Sequence, residues 1–189
     1  MKEISTAIRQ RRAYFSKAYT QKEIPIEIIE EILENANWAP THKRTEPWRY
    51  RIFHSLEARQ RLADFIASDY KKHAPAEMFS EIKQLEISEK PILSGCTIAI
   101  CLHRDAAESL PEWEEVAAVA MSVQNMWLTC SAFGIGSYWA SPGFIARLGP
   151  VLELSDGEKC IGLFYMGYLK ENAVAPAIRS NMKEKIKWM

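Results

Sequence analysis

A near-continuous apolar run, I-L-S-G-C-T-I-A-I-C-L at residues 92–102, constrains the fold more than any other stretch of this sequence. A strand with one face in water would carry polar residues at every second position, and this run, which Pro91 precedes, does not. We therefore predict a central β-strand that is buried on both faces.

A long helix is predicted to follow. Pro111 and the first-turn carboxylates form a typical helix N-terminus, because acidic groups there face the positive end of the helix dipole: Glu112, Glu114 and Glu115. The helix extends to about Phe133, and its apolar residues recur on more than one face. A helix of this kind is buried. We expect it to lie both in the core and in a dimer interface, with Trp113 and Trp127 serving that packing.

The other elements are predicted from shorter patterns. Apolar spacing predicts helices at 3–12, from Pro25 to about Ala36, and twice within 56–90 with a break near Pro75. Strands are predicted after Trp48, at 137–140 and at 160–168, with a helix capped by Ser141 and Pro142 and a short C-terminal helix. The sequence has no internal repeat and no domain boundary, so we predict a single domain over residues 1–189.

The loop at residues 38–48 is unusual for a connection between a helix and a strand. It reads W-A-P-T-H-K-R-T-E-P-W, with two prolines, a histidine and two basic residues between its terminal tryptophans. Simple connections are shorter and richer in Gly, Asn and Ser. A proline-stiffened loop with aromatic ends and central donors suits a flat, partly anionic ligand.

Two adjacent arginines, Arg11 and Arg12, lead directly into the apolar segment Ala13, Tyr14 and Phe15. Arginines that enter a partly buried turn require an anionic partner, and phosphate is a natural candidate. The alternative is that they simply complement the negative end of the first helix. The residues alone leave both interpretations open.

Composition excludes several classes of function. The 24 basic and 24 acidic residues cancel, which argues against a nucleic-acid-binding protein. The four cysteines form no C-x-x-C pair and lie in apolar stretches, so we predict reduced buried thiols rather than a disulfide framework or a metal site. We see no secretory signal and no apolar window long enough to span a bilayer, which favours a cytoplasmic protein.

Four segments of the sequence together resemble the FMN-dependent nitroreductase family, in particular its short single-domain bacterial branch. I-R-Q-R-R-A-Y-F is similar to the family's R-R-S-x-R-x-F, and A-P-T-H-K-R-T-E-P-W to A-P-S-x-x-N-x-Q-P-W. G-I-G-S-Y-W-A-S is similar to G-x-G-x-x-W-x-S. The strand I-G-L-F-Y-M-G-Y and the tail I-R-S-N-M-K-E-K-I-K-W are similar to the end of such sequences. The order and spacing of the segments make the resemblance specific.

The resemblance implies an α+β fold: a three-layer sandwich with a central, mostly antiparallel sheet flanked by helices, in an intertwined homodimer. It implies two FMN sites at the dimer interface. Arg11, Arg12 and Arg179 match positions that hold the FMN phosphate and ribityl chain, and Ala13 matches a backbone contact. The positions that cover the flavin from the partner subunit match Trp38 and His42, and those along its other side match Trp139, Ala140 and Ser141.

The sequence also departs from the family pattern. Ala13 replaces a serine and so lacks one hydroxyl donor, while Arg44 and Glu46 stand where many members have Asn and Gln. His42, Lys43 or Arg44 would then replace the contact that the Asn makes with the flavin. We expect the choice of electron acceptor to depend on this cluster.

The reaction that the resemblance implies is a ping-pong transfer of hydride from NAD(P)H to FMN and then to a nitroaromatic, quinone or similar small acceptor. No dedicated catalytic residue is required, because water can supply protons. Residues 129–134 lie where a nicotinamide is expected to approach. Two alternatives remain: a reductive dehalogenase or enal reductase with the same cofactor, and a non-catalytic FMN-binding protein. A lone His42 without a Cys or acidic partner nearby in the sequence argues against a metal site.

Overall fold

The computed structural model describes residues 2–175 and 177–189, and in this part of the chain four strands form one antiparallel sheet. Its order is β1 (Trp48–Phe53), β2 (Cys96–His103), β4 (Glu158–Tyr168) and β3 (Ile135–Ala140). The helices are α1 (Lys2–Gln10), α2 (Ile26–Asn37), α3 (Leu56–His73), α4 (Glu81–Ser88), α5 (Lys90–Leu93), α6 (Glu112–Ala132) and α7 (Gly149–Leu152). Short 3-10 turns lie at Ser16–Ala18, His42–Arg44, Ala76–Met78, Ile145–Arg147 and Met182–Lys185.

The sheet separates two hydrophobic cores, so the fold has three layers. Ile98, Ile100 and Leu102 of β2 face a core closed by α2 and α6. Ala99 and Cys101 face the opposite core, which α3 and the segment after β3 close. This alternation explains why the β2 sequence is apolar at every position, and it confirms the predicted α+β sandwich with its central buried strand.

The long helix α6 has the predicted bounds and acidic first turn. It packs against α2, where Ser122 Oγ donates to Ala36 O at 2.8 Å and Asn125 Nδ2 donates to Asn35 O at 3.0 Å. Its outer face keeps apolar side chains in contact with solvent, since Trp113 is 69% exposed and Met121 is 41% exposed. One face of α6 is therefore core, and the opposite face is free for a further contact.

Several predicted boundaries differ from the structure, and two of these differences have a clear physical cause. The strand expected from residue 92 begins only at Cys96, because residues 90–93 form the helical turn α5. Side chains stabilise this turn: Ser94 Oγ donates to Lys90 O at 2.8 Å, and Arg59 Nη1 donates to Ile92 O at 3.2 Å. The helix expected from Ser141 is instead a 3-10 turn followed by α7, because Pro150 lacks the N–H that a continuous helix would need.

Candidate functional site

Three predicted arginines meet in one cavity. Arg11 and Arg12 follow directly after the end of α1, and Arg179 comes from the C-terminal segment. Together with four other residues they line a cavity of about 500 Å³, whose further members are Ile8, Arg9, Ala177 and Met182. The structure thus joins two sequence motifs that lie more than 160 residues apart in the chain.

The charge in this cavity is uncompensated among the residues that line it. No carboxylate belongs to the lining, and no ion pair in the described part of the chain involves Arg11, Arg12 or Arg179. Burial lowers the pKa of Arg11, and the nearby charges of Arg179 and Arg12 lower it further. Concentrated guanidinium groups that have no carboxylate partner favour binding of an anion such as a phosphate.

Trp127 of α6 holds both neighbouring arginines in place. The guanidinium carbon of Arg11 lies 4.4 Å from the centroid of the Trp127 ring, and Trp127 Nε1 donates to Arg12 O at 3.0 Å. The same ring packs edge-on against Phe164 in β4. The sequence predicts only a packing role for Trp127, because its spacing in α6 carries no signal for contact with a residue 115 positions earlier.

The segment after the arginines runs beside β3. Ala13 pairs with Ser137 in a parallel bridge, and Tyr14 N donates to Ser137 O at 3.2 Å. One turn later, the hydroxyls of Ser16 and Tyr138 lie 3.1 Å apart. The backbone that follows Arg12 is therefore held against the strand that ends in the predicted contacts at 139–141.

At the end of β3 the three predicted residues differ in exposure. The Trp139 indole packs over Gly162 of β4, and its Nε1 is buried without a hydrogen-bond partner among the described residues. Ala140 is half-buried and Ser141 is exposed. The Trp139 ring thus packs on the core, while Ser141, just after the strand, is exposed. Ser141 makes no side-chain cap for the turn that follows, contrary to its predicted capping role.

The predicted cover residues lie elsewhere in the protomer. Trp38 is 78% exposed, and its Nε1 donates to Glu34 Oε1 at 2.9 Å. His42 Nδ1 lies 2.7 Å from Glu114 Oε2 in the first turn of α6. Because Glu114 and Trp127 are 13 residues apart on one helix, the His42 end and the arginine end are roughly 20 Å apart along its axis. Among the described residues, neither Trp38 nor His42 lines the arginine cavity of its own chain.

The loop around His42 is strained. Lys43, Arg44 and Glu46 have φ angles of 51°, 56° and 42°, in the left-handed region that L-residues other than Asn and Asp seldom adopt. Hydrogen bonds hold this shape: Thr41 Oγ1 accepts from Glu46 N at 3.2 Å, and Lys43 Nζ donates to Ser109 O at 3.0 Å. Such strain concentrates at functional sites.

The segment at 129–134 ends α6 beside a second cavity of about 380 Å³ between α1 and α6, to which Ser131 and Ala132 contribute. No group of three or more His, Cys, Asp or Glu residues in the described chain is placed to hold a metal ion. Among the same residues, no helix has the length and apolar character needed to cross a membrane.

Comparison with known proteins places the chain in a family. The family model described as "Nitroreductase family" matches residues 8–168. YfhC of Bacillus subtilis (strain 168), which carries the name of an NAD(P)H nitroreductase, is 28% identical over 174 residues that cover 91% of this chain and 86% of YfhC.

Solved structures share the fold. The nitroreductase-like family protein from Bacillus cereus has a TM-score of 0.80 at 24% identity and covers 98% of this chain and 95% of its own. The FMN-dependent nitroreductase NfnB from Mycobacterium smegmatis, in complex with NADPH, has a TM-score of 0.80 at 16% identity over 100% and 98%. The nitroreductase with bound FMN from Bacteroides fragilis has a TM-score of 0.75 at 18% identity over the whole of both chains. With its sandwich fold and a family match that spans residues 8–168, the chain belongs to the nitroreductase family.

Proposed function

We propose that this protein is an FMN-dependent NAD(P)H oxidoreductase that reduces a small acceptor such as a nitroaromatic or a quinone. The observation that carries the proposal is the cavity lined by Arg11, Arg12 and Arg179 without a carboxylate. A phosphate monoester carries up to two negative charges at neutral pH and accepts several hydrogen bonds, which matches this donor set. The relatives named as FMN-dependent or NADPH-bound nitroreductases support the same assignment.

Different residues of the chain hold different parts of the cofactor in this proposal. Arg11, Arg12 and Arg179 bind the phosphate. Trp127 holds the Arg11 side chain through its ring and the Arg12 backbone through a hydrogen bond. The backbone at Ala13 and at 140–141 lies along the bound group, since the 13–16 segment is paired with β3. The missing serine hydroxyl at residue 13 is of little consequence here, because four arginine side chains surround the cavity.

Bound FMN would supply the redox chemistry, in which a hydride passes from the nicotinamide to the second substrate. The protein binds, orients and partly desolvates that group, and no side chain is assigned as a catalytic acid or base. Positive charge near the isoalloxazine ring would stabilise its reduced anionic form. Lys43 and Arg44 are the candidates for that role from the partner subunit.

The homodimer is part of the proposal. The arginine end and the His42 end of α6 are roughly 20 Å apart in one chain, so a second copy has to bring Trp38 and His42 to the cofactor. Exposed apolar side chains cluster on the elements that would meet: Ile4, Ile8, Trp113, Met121, Ile178, Met182 and Trp188. Surfaces of this kind mark protein interfaces. We also propose that the protein is cytoplasmic.

Absorbance and turnover test the function. The purified protein is expected to show the visible spectrum of a bound flavin, or to acquire it on addition of FMN. The steady-state oxidation of NADH or NADPH by the loaded protein is expected to depend on an added quinone or nitroaromatic. A protein that takes up no FMN contradicts the proposal. One that binds FMN without turnover on any acceptor supports the non-catalytic alternative instead.

A further inference from the structure

Two of the four cysteines face each other across the central strands. Cys101 of β2 and Cys160 of β4 are directly opposite in the register of this antiparallel pair. Facing residues in such pairs have Cα atoms about 4.5–5.5 Å apart, which falls within the range of about 4.4–6.8 Å that a disulfide spans. Neither thiol takes part in the proposed flavin chemistry.

A β-bulge places both thiols on the same face of the sheet. Ile100 pairs with Gly162 and Cys101 with Cys160, so Ile161 is an extra residue in β4. Leu163 faces the core on the α3 side, and simple alternation would turn Cys160, three residues earlier, to the other face. The bulge reverses that direction, and Cys160 joins Cys101 in the same core.

Cys101 and Cys160 differ in their exposure and in the pKa of their thiols. Cys101 is fully buried, whereas Cys160 is 8% exposed and its Sγ lies 3.4 Å from Gly162 O. Hydrogen bonding with Cys160 raises the pKa of the Cys101 thiol, and the same contact lowers the pKa of Cys160. Cys160 is thus the residue with the more acidic thiol and the slightly greater exposure, and both properties favour its reacting first.

The other two cysteines, Cys96 and Cys130, do not form a pair of this kind. Cys96 and Cys130 are fully buried on the opposite side of the sheet, and neither faces a cysteine in the strand register. Cys96 lies opposite Met166, and Cys130 Sγ lies 3.8 Å from Met166 Sδ. Burial raises the pKa of both thiols, to about 12 for Cys130. They serve as internal controls for reactivity.

We propose that Cys101 and Cys160 form a peroxide-responsive dithiol that closes to a cross-strand disulfide between β2 and β4. The Cys160 thiolate attacks one oxygen of hydrogen peroxide; the S–O bond forms, the O–O bond breaks and hydroxide leaves, which takes up a proton to become water. The Cys101 thiol then attacks the sulfenic sulfur; the S–S bond forms, and a second water leaves. The two thiols lose two electrons in total, and the peroxide gains them.

Mass spectrometry of the purified full-length chain tests the proposal. The folded protein is treated with hydrogen peroxide, denatured, alkylated at its remaining thiols and digested. We expect two of the four cysteines to escape alkylation, with the peptides of Cys101 and Cys160 joined and the intact mass reduced by two hydrogen atoms. Dithiothreitol should restore all four alkylation sites.

Variants distinguish the two steps. Cys101→Ser should leave a sulfenic acid on Cys160 that dimedone traps, whereas Cys160→Ser should prevent reaction at Cys101. Cys96→Ser, the matched control, should leave the yield of the Cys101–Cys160 disulfide unchanged. The peptide map of the wild-type protein tests the proposal even if a variant fails to fold. A map in which Cys101 and Cys160 remain fully alkylated, or in which the disulfide joins other cysteines, overturns the proposal.

Discussion

The guanidinium carbon of Arg11 lies 4.4 Å above the ring of Trp127, which connects the end of α1 to the C-terminal part of α6. Trp127 Nε1 also donates to the carbonyl of Arg12. One tryptophan therefore fixes both the side chain of the first arginine and the backbone of the second. We therefore expect the anion binding proposed for the cavity to depend on this packing in addition to the arginines themselves.

Trp127→Phe should weaken FMN binding without unfolding the protein. Phenylalanine keeps an aromatic ring beneath Arg11 but removes the hydrogen bond to Arg12 O, worth about 1 kcal/mol. The dissociation constant for FMN should rise about fivefold, as measured by flavin fluorescence titration. Tyr70→Phe, which removes a comparable hydrogen bond from Tyr70 Oη on α3 to Met78 O, is the control. Equal affinities in the two variants would exclude this role for Trp127.

Gly162→Ala should disturb the end of β3. A Cβ at Gly162 would overlap the Trp139 indole, so the ring and the strand that carries it have to move. Overpacking of this kind costs about 1–3 kcal/mol, and we expect a lower Tm together with weaker FMN binding. Gly143→Ala is the control, because its Cβ would meet nothing within 4 Å. The interpretation fails if both variants have the Tm and the affinity of the wild type.

Asp69→Asn should remove a pH-dependent part of the stability. Arg147 donates two hydrogen bonds of 2.6 Å to Asp69, and this contact lowers the pKa of the carboxyl. A lowered folded-state pKa stabilises the protein above the unfolded value of about 4, and the contribution is lost as the pH falls through the folded value. Because the Arg147 side chain is 41% exposed, we expect about 1–2 kcal/mol at pH 7.

Urea unfolding of wild type and Asp69→Asn at pH 7 and at successively lower pH measures this difference. The gap in free energy of unfolding should be largest at neutral pH and should close below about pH 4. Glu57→Gln is the control, since the side chain of Glu57 is 83% exposed and its ion pair with Arg61 is at the surface. A gap that is constant with pH would show that the Asp69 charge does not provide the stability.

Met121→Asp should shift the dimer toward monomer and weaken FMN binding. Met121 lies on the outer face of α6 and is 41% exposed in the single chain, so a charge there would be buried in the dimer. Light scattering after size-exclusion chromatography measures the mass. Leu56→Asp changes a residue that is 59% exposed on α3, away from α6, and should leave the dimer intact. A dimer that persists with Met121→Asp would place the interface elsewhere.

Much of the fold was predictable because its pattern is local. The apolar run that became β2 and the acidic start of α6 carry their own signals; α6 lies where expected, and β2 begins later in the run than expected. The helical turn at 90–93 was not predictable, since it depends on Arg59 from α3. The same distinction holds at the site. Adjacent arginines indicate an anion, whereas the contribution of Trp127 depends on how α1 packs on α6.

The predicted contacts of Trp38 and His42 with the flavin remain predictions. In one chain, His42 bonds to Glu114, and the strained residues Lys43, Arg44 and Glu46 follow it. Their relation to the cofactor depends on the position of a second subunit. No local pattern encodes that position.

The central claim is that the arginine cavity binds the phosphate of FMN, and comparison of FMN with riboflavin tests it most directly. The two ligands share the isoalloxazine ring and differ in the phosphate. Fluorescence titration of the flavin-free protein should give an affinity for FMN at least about 100-fold higher than for riboflavin, from charge-assisted hydrogen bonds of about 1.5–3 kcal/mol each. Arg12→Ala should weaken FMN binding about 10–100-fold and leave riboflavin binding unchanged, while Arg61→Ala at the surface should change neither. Equal affinities of the wild-type protein for FMN and riboflavin would contradict the account.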